Sequence, residues 1–317
     1  MRLLENTPRF EVEAAAEIAA EFFGIRATAR PLPSERDQNF LLTNGAGEKF
    51  VLKIANALES LAFLEAQNAV LNHAGKQVDF CQSLVPGVSG EEIVTVKETN
   101  FVRVVRYLPG VPLAQIQPHS SELLRDLGRK LGTLAQALKD FDHPAVHRDF
   151  HWDLSNGNRI IEEYATLIED TRFREVVLRC RVDFDPRLRR SVIHGDANDY
   201  NVLVHPERMT VSGLLDFGDM VYSYTVADLA IAVAYVVLEK PEPRAAAAEI
   251  VKGYTGEFQL LDEELEAVWP LALLRLAVSA CMAAYQQRQQ PENEYLRISQ
   301  RAIEQNLPRI YTDDDTD

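Results

Sequence analysis

Cysteine is scarce in this chain: three residues in 317, Cys81, Cys180 and Cys281, far apart and with no CxxC pair among them. That excludes a disulfide framework and a thiolate zinc site, and it fits a reducing compartment. Basic charge is short as well, with 33 lysines and arginines against 48 aspartates and glutamates and a formal net charge of −15. Such a surface argues against nucleic acid or anionic membrane as partner and suits a cationic, amine-bearing one, unless it serves solubility alone. Long hydrophobic runs are missing too. The start, MRLLENTPRF, has no apolar core for a signal peptide, and the longest apolar run, near Leu271 to Tyr285, is interrupted by Arg275 and reads as too short to span a bilayer. These absences predict a soluble, cytoplasmic protein. With 46% of its residues apolar the chain is not disordered, and its length allows one large domain or two lobes.

What is present is concentrated between Val192 and Gly218, VIHGDANDYNVLVHPERMTVSGLLDFG. Asp196 and Asn201 stand at the two ends of a short loop that starts with His194 and Gly195. Val202 to Val204 and Val211 to Leu215 flank a polar turn, His205 to Met209, and are expected to pair as a hairpin that returns Asp216 to the neighbourhood of Asn201. An acid, an asparagine and a second acid in this order suit phosphoryl transfer, where one acid handles the acceptor hydroxyl and the other two side chains hold magnesium. Singly, HGD and DFG are common tripeptides; together, with the hairpin between them, they argue for a catalytic loop.

Upstream, Glu11 to Phe23 has helical spacing and stops at Gly24. Ile25 to Ile54 reads as three strands, with Asn44-Gly45 as a hairpin turn, and Lys53 lies on the third. A strand lysine is either merely solvated or the contact to the α- and β-phosphates of a nucleotide. Its partner would be a carboxylate on the following helix, Glu59 to His73. Glu65, in the helix body, is preferred to Glu59, which in the first turn can simply compensate the dipole. No GxGxxG precedes Lys53, so the turn Ser34 to Asn39, with Ser34 and Arg36, would have to cover phosphates through its backbone N–H groups, or is an ordinary polar hairpin. Ile93 to Val96 and Phe101 to Tyr107 complete a five-stranded sheet. Tyr107 to Gly110 reads as a hinge where backbone groups of Tyr107 and Leu108 would bond a purine edge, with a plain linker as the alternative.

Beyond the hinge the pattern is helical. Leucines 123, 124, 127, 131, 134 and 138 form one buried stripe, and Gly128 and Gly132 allow a close neighbour. A second His-x-Asp follows at His147-Arg148-Asp149, but Leu154 and not asparagine stands five residues after Asp149, so catalysis is assigned to Asp196. The stretch HRDFHWDLSNG is expected to be a substrate-facing loop offering Asp149 and Trp152; a metal site from its histidines and aspartates is the weaker reading. Asn158 to Leu188 reads as a solvated, charged helical face. Asp219 is a candidate for the metal shell or a substrate amine. Asp228, at the start of an apolar helix, reads as a brace for the catalytic loop together with His194, or as dipole compensation. Tyr311 to Asp317 is an acidic tail.

These residues resemble the aminoglycoside phosphotransferase family, a branch of the kinase-like fold, and within it the hydroxylysine kinase branch. The likeness extends over LEAQNAVL, VVRYLPGVPL, FDHPAVHRDFHWDL, VSGLLDFGDMVYSY and AAYQQRQQPENEYL, nearly the whole chain. It implies an α+β, protein-kinase-like two-lobed fold, with a five-stranded antiparallel N-lobe over residues 1–107, a mostly helical C-lobe over 108–310 and the tail at 311–317. It further implies Asp196 as catalytic base, Asn201 and Asp216 as Mg²⁺ ligands, Lys53 as phosphate-binding lysine with Glu65 as partner, and ATP or GTP as phosphate donor. The expected acceptor is a small cationic or zwitterionic hydroxyl-bearing metabolite, 5-hydroxylysine first, with another amino alcohol, homoserine or an aminoglycoside as alternatives. A kinase-like binding module without catalysis is the competing class. No Ala-Pro-Glu follows Asp216, which argues against a protein kinase.

Overall fold

Gly24 takes a left-handed conformation (φ 67°) and ends the first helix, α1 (Val12–Phe23), with its N–H on the Ala19 carbonyl. The computed structural model describes residues 7–34, 36–97, 99–238, 240–289 and 298–312, and the chain divides into two units, Met1–Pro109 and Gly110–Asp317. In the first unit α1 is followed by β1 (Ala27–Leu32), β2 (Gln38–Asn44), β3 (Lys49–Ile54), α2 (Leu61–Ala74), β4 (Leu84–Val85), β5 (Val94–Val96) and β6 (Asn100–Arg106). They form one antiparallel sheet in the order β1-β2-β3-β6-β4, with β5 also on β6. The five expected strands are all there, and the two-residue β4 joins them.

The pleat gives this sheet two different faces. Phe40, Leu42, Phe50, Leu52, Ile54, Val102 and Val104 form one core with Ala15, Ile18, Ala19 and Phe23 of α1. On the opposite face Lys53 is the register partner of both Asn39 and Arg103, so these three polar residues share a face with the buried Leu41, Val51 and Val105. The β2–β3 turn is closed by the Asn44 side chain, which accepts from the N–H groups of Ala46 and Glu48 at 3.0 and 2.9 Å.

The second unit begins with β7 (Val111–Pro112) and α3 (Ser121–Leu138), then α4 (Gly157–Tyr164), α5 (Thr171–Arg179), β8 (Arg190–Ile193), β9 (Val202–His205), β10 (Thr210–Leu214) and β11 (Val221–Tyr224). Four helices close it, α6 (Ala227–Val236), α7 (Pro243–Thr255), α8 (Asp262–Gln289) and α9 (Ile298–Thr312). The strands pair as β10-β9-β7 and as β11-β8. Helices α3 and α7 lie so close that a Cβ on Gly128 would stand 1.9 Å from the Ile250 carbonyl oxygen, and one on Gly253 2.0 Å from that of Arg125. The small residues read from α3 are therefore the condition for this crossing.

One expectation is corrected here. Helix α8 runs for 28 residues and is, by length and composition, long and apolar enough to cross a membrane, not too short. Its apolar window is 83% buried inside the protein, on α4 and α6 among others, so it serves as the core helix of this unit. The acidic tail falls largely at 313–317, outside the described residues.

Candidate active site

Strand β8 delivers the chain into His194-Gly195-Asp196, and the turn there depends on glycine. Gly195 has φ 80°, and a Cβ on it would lie 2.5 Å from the Asp219 carbonyl oxygen. Asp228, in the first turn of α6, accepts from the N–H of His194 on Oδ2 (2.8 Å) and from the N–H of Gly195 on Oδ1 (2.7 Å). The His194 ring is wholly buried, donates from Nε2 to the Leu215 carbonyl (2.8 Å) and accepts the Asp196 N–H on Nδ1 (3.2 Å). The 194–196 end of the loop is thus held by side chains and not by a ladder.

The hairpin does bring the second acid back. Strands β9 and β10 pair from Thr210 opposite His205 to Leu214 opposite Val202, with a bulge between Val211 and Gly213. Leu215 N–H then donates to the Asn201 carbonyl at 2.9 Å, which makes Asp216 the neighbour of Asn201. Asp126 of α3, buried, accepts the Val211 N–H on Oδ2 at 2.7 Å and anchors the bulged strand. Asp216 itself is exposed and sits at φ 61°, a conformation unusual for a residue with a Cβ, while accepting the Gly218 N–H at 3.0 Å.

Around Asp196 the contacts are asymmetric. Among the described residues Oδ1 accepts from Asn198 Nδ2 (2.9 Å) and from Arg275 Nη2 (2.8 Å), whereas Oδ2 accepts only from Asn201 Nδ2 (2.8 Å). The same Nδ2 reaches the Asp196 carbonyl (2.9 Å), which leaves the Asn201 side-chain oxygen free of that task. Burial pushes the Asp196 carboxyl up to about 7, with Asp219 and Asp216 acting in the same direction and Arg275 and Asn198 against it. Burial likewise raises Asp199 in the same loop to about 6. It also raises Asp228, opposed there by the His194 ring and the two amides it accepts. Burial thus raises three carboxyls around this loop, Asp196, Asp199 and Asp228.

Arg275 did not stand out in the sequence as a site residue, only as an interruption of an apolar run. Its side chain is 2% exposed; besides Asp196 it donates to the Trp152 carbonyl (3.3 Å) and the Tyr235 hydroxyl (3.2 Å), and it lies over the Trp152 ring. A lone charge inside such a run is the signal that marks it.

The His147 to Asp153 loop contributes in part. Trp152 is brought to Asp196 through Arg275, and Asp219, buried, acts on the Asp196 charge. Asp149 does not join them: its carboxylate is 70% exposed and is held by Arg159 and Asn156. Arg148 donates to the carbonyls of Gly218 and Met220, at 3.0 and 3.2 Å, and so supports the segment that carries Asp216. Among the described residues no group of three or more His, Cys, Asp or Glu is arranged to hold a metal.

In the first unit Lys53 is half-buried on β3 beside Arg103. Arg103 is buried and donates to Asn68 (2.9 Å) and Gln67 (2.7 Å) of α2. Glu65 is not turned to that face. Phe63, Leu64, Ala66, Gln67, Val70, Leu71 and Ala74 define the buried side of α2, and at 3.6 residues per turn Glu65 falls on the opposite, exposed side, in a groove with Glu91 and Glu92. The expected Lys53–Glu65 pairing is corrected on this ground; Glu59 precedes α2 and accepts the Ser60 N–H. Ser34 and Arg36 lie in the β1–β2 turn, where the Arg36 carbonyl accepts from Asn56 Nδ2 at 3.1 Å. Tyr107 donates its N–H to Lys49 and is followed by Leu108 and Pro109, the last residue of the unit.

A model of the phosphotransferase enzyme family, APH, matches residues 28–267. Hydroxylysine kinases of Danio rerio and Bos taurus are 30% and 31% identical, over 98% and 96% of this chain and 94% and 90% of theirs. Among solved structures, an amicoumacin kinase in complex with AMP-PNP and Ca²⁺ aligns with a TM-score of 0.72 at 14% identity, over 96% of this chain and 94% of that one. A microcompartment-associated aminopropanol kinase aligns at 0.71 and 16%, over 96% and 98%. At such identities the structural likeness speaks for the fold, a kinase-like α+β arrangement with an antiparallel sheet in the N-terminal part and helices in the C-terminal part. Family match and near-full-length relatives converge: the chain belongs to the phosphotransferase enzyme family, as a small-molecule kinase with an alcohol group as acceptor.

Proposed function

We propose that this kinase transfers the γ-phosphate of ATP or GTP to the side-chain hydroxyl of 5-hydroxylysine, in the cytoplasm, with magnesium. The observation that carries the reading is the Asp196 carboxylate, with Oδ1 doubly engaged and Oδ2 accepting from Asn201 alone, in a chain whose relatives at about 30% identity are hydroxylysine kinases. In the reaction a bond forms between the acceptor oxygen and the γ-phosphorus, the bond from that phosphorus to the β-phosphate oxygen breaks, and the hydroxyl proton goes to Asp196 Oδ2. The products are a phosphate monoester and a nucleoside diphosphate. Asn201 and Asp216 supply an amide oxygen and a carboxylate, hard donors that fit magnesium. When bound, the ion neutralises charge on the β- and γ-phosphates.

Lys53 takes the α- and β-phosphates, with the β1–β2 turn around Ser34 and Arg36 beside them and backbone groups of Tyr107 and Leu108 for the purine. Asp219, buried and acidic, suits the acceptor's ammonium group. The nucleotide-binding part spans residues 1–107 and the acceptor part 108–310. Cys81, Cys180 and Cys281, buried and not joined in disulfides, suit a reducing compartment.

The test is nucleoside diphosphate release with Mg²⁺ and ATP or GTP across 5-hydroxylysine, ethanolamine, choline, homoserine and kanamycin. The highest kcat/KM is expected with 5-hydroxylysine. A tenfold preference for another acceptor would overturn the substrate, and the absence of acceptor-dependent turnover with a wide panel would leave a kinase-like binding module instead.

A further inference from the structure

Between Glu266 and Arg288 of α8 the sole charged residue is Arg275, and it is one of the most buried cations in the protein. A permanent charge in an apolar helix is costly unless it is paired and its N–H groups are used. Here they are used in a directed way. The guanidinium is fixed from three elements: Nη2 donates to Asp196 Oδ1 (2.8 Å), Nε to the Tyr235 hydroxyl of α6 (3.2 Å) and Nη1 to the Trp152 carbonyl (3.3 Å). Tyr235 is held in turn, its hydroxyl 3.0 Å from Ser279 Oγ on the next turn of α8. The plane of the fork is therefore set before any ligand arrives, and it meets the carboxylate at one oxygen only.

The consequence lies in which oxygen that is. With Asn198 at 2.9 Å as second donor, both in-plane lone pairs of Oδ1 are engaged, while Oδ2 has Asn201 alone and one lone-pair direction left. We propose that Arg275 is a positioning residue: it holds Asp196 by Oδ1 so that the remaining lone pair of Oδ2 is what the acceptor hydroxyl meets. This rests on Asp196 being the base of the proposed reaction. Because the same guanidinium carries the Trp152 carbonyl, Arg275 also ties the 147–153 loop to the orientation of that carboxylate. A lysine in its place keeps the charge but offers a single ammonium, which cannot reproduce the planar fork on three partners.

The experiment compares kcat and KM in the parent, Arg275→Met, Arg275→Lys, Asp196→Ala and the Asp196→Ala/Arg275→Met double variant, by steady-state initial rates with the best acceptor of the panel above. Arg275→Met is expected to lose about 10²-fold in kcat, the size of effect a small misplacement of a reacting group produces, with both KM values within about threefold. Arg275→Lys should recover about tenfold of that loss. In the Asp196→Ala background the Met substitution should cost less than about threefold, since the residue it acts through is gone. An equal fold-loss in both backgrounds, or a loss confined to KM, would overturn the positioning role. Thermal melts accompany each variant; should the Met variant fail to fold, the Lys variant alone and in the Asp196→Ala background decides by the same ratio. Full turnover by Asp196→Ala would instead remove the reading of Asp196 as base, and the inference with it.

Discussion

Two His-x-Asp triplets stand in the second unit, His147-Arg148-Asp149 and His194-Gly195-Asp196, and the letters alone favour the first, which spells a protein-kinase catalytic loop. Their surroundings are opposite. His147 is exposed with its ring on Asp142, and Asp149 is 70% exposed in an ion pair with Arg159. His194 has no exposed surface, Asp196 is 20% exposed, and the second triplet makes hydrogen bonds with Asp228, Leu215 and Arg275 of other elements. Burial and long-range hydrogen bonds, not the tripeptide, make a carboxylate able to act. The first triplet still has a place, because Arg148 holds the carbonyls of Gly218 and Met220 next to the second acid.

The contrast can be broken in four places, in order of expected effect. Asp196→Ala should lower kcat by at least about 10²-fold in steady-state phosphoryl transfer, the usual size of a removed general base. A variant within tenfold of the parent would return the question to the first triplet. Asp228→Ala leaves the amides of His194 and Gly195 buried and unpaired, so urea unfolding should show a loss of about 2–5 kcal/mol at unchanged slope, with activity falling in the folded fraction as well. Arg148→Ala removes two donors from half-buried carbonyls. We expect about 1–3 kcal/mol less stability and a several-fold drop in kcat, measured by the same unfolding curves and by initial rates. Asp149→Ala removes an exposed ion pair with Arg159 and an exposed hydrogen bond from Asn156, so stability should stay within about 0.5 kcal/mol and kcat within about twofold. If its kcat falls as far as that of Asp196→Ala, the comparison is reversed.

Much of this was legible in the chain. The loop from His194 to Asn201, the hairpin and Asp216 are close in sequence, and the structure forms them through short-range contacts such as Leu215 N–H to the Asn201 carbonyl. The strand that carries Lys53 and its neighbours follow from β-formers between turn residues. Glu65 shows where position in a helix misleads without phase: the apolar residues Phe63, Leu64, Val70 and Leu71 already mark the buried side of α2, and Glu65 falls across from it. In α8 the apolar stretch reads as a hydrophobic run, and only its packing shows that it is a core helix long enough to have been something else.

The sequence by itself determined the order of the chemistry: an acid, an asparagine five residues on, and a second acid returned by a hairpin, all through bonds between near neighbours. Only the tertiary structure decided how that acid is held. The Asp228 contact to Gly195 spans 33 residues and the Arg275 contact to Asp196 spans 79, and each requires an apolar helix to pack in one register. Hydrophobic burial brings α6 and α8 together but is non-directional. Which polar atom then meets which is settled by the packed arrangement, where an unpaired buried charge would be too costly to keep. That is how Arg275, an interruption in a hydrophobic run, came to rest on Oδ1 of Asp196, with Asn201 on Oδ2.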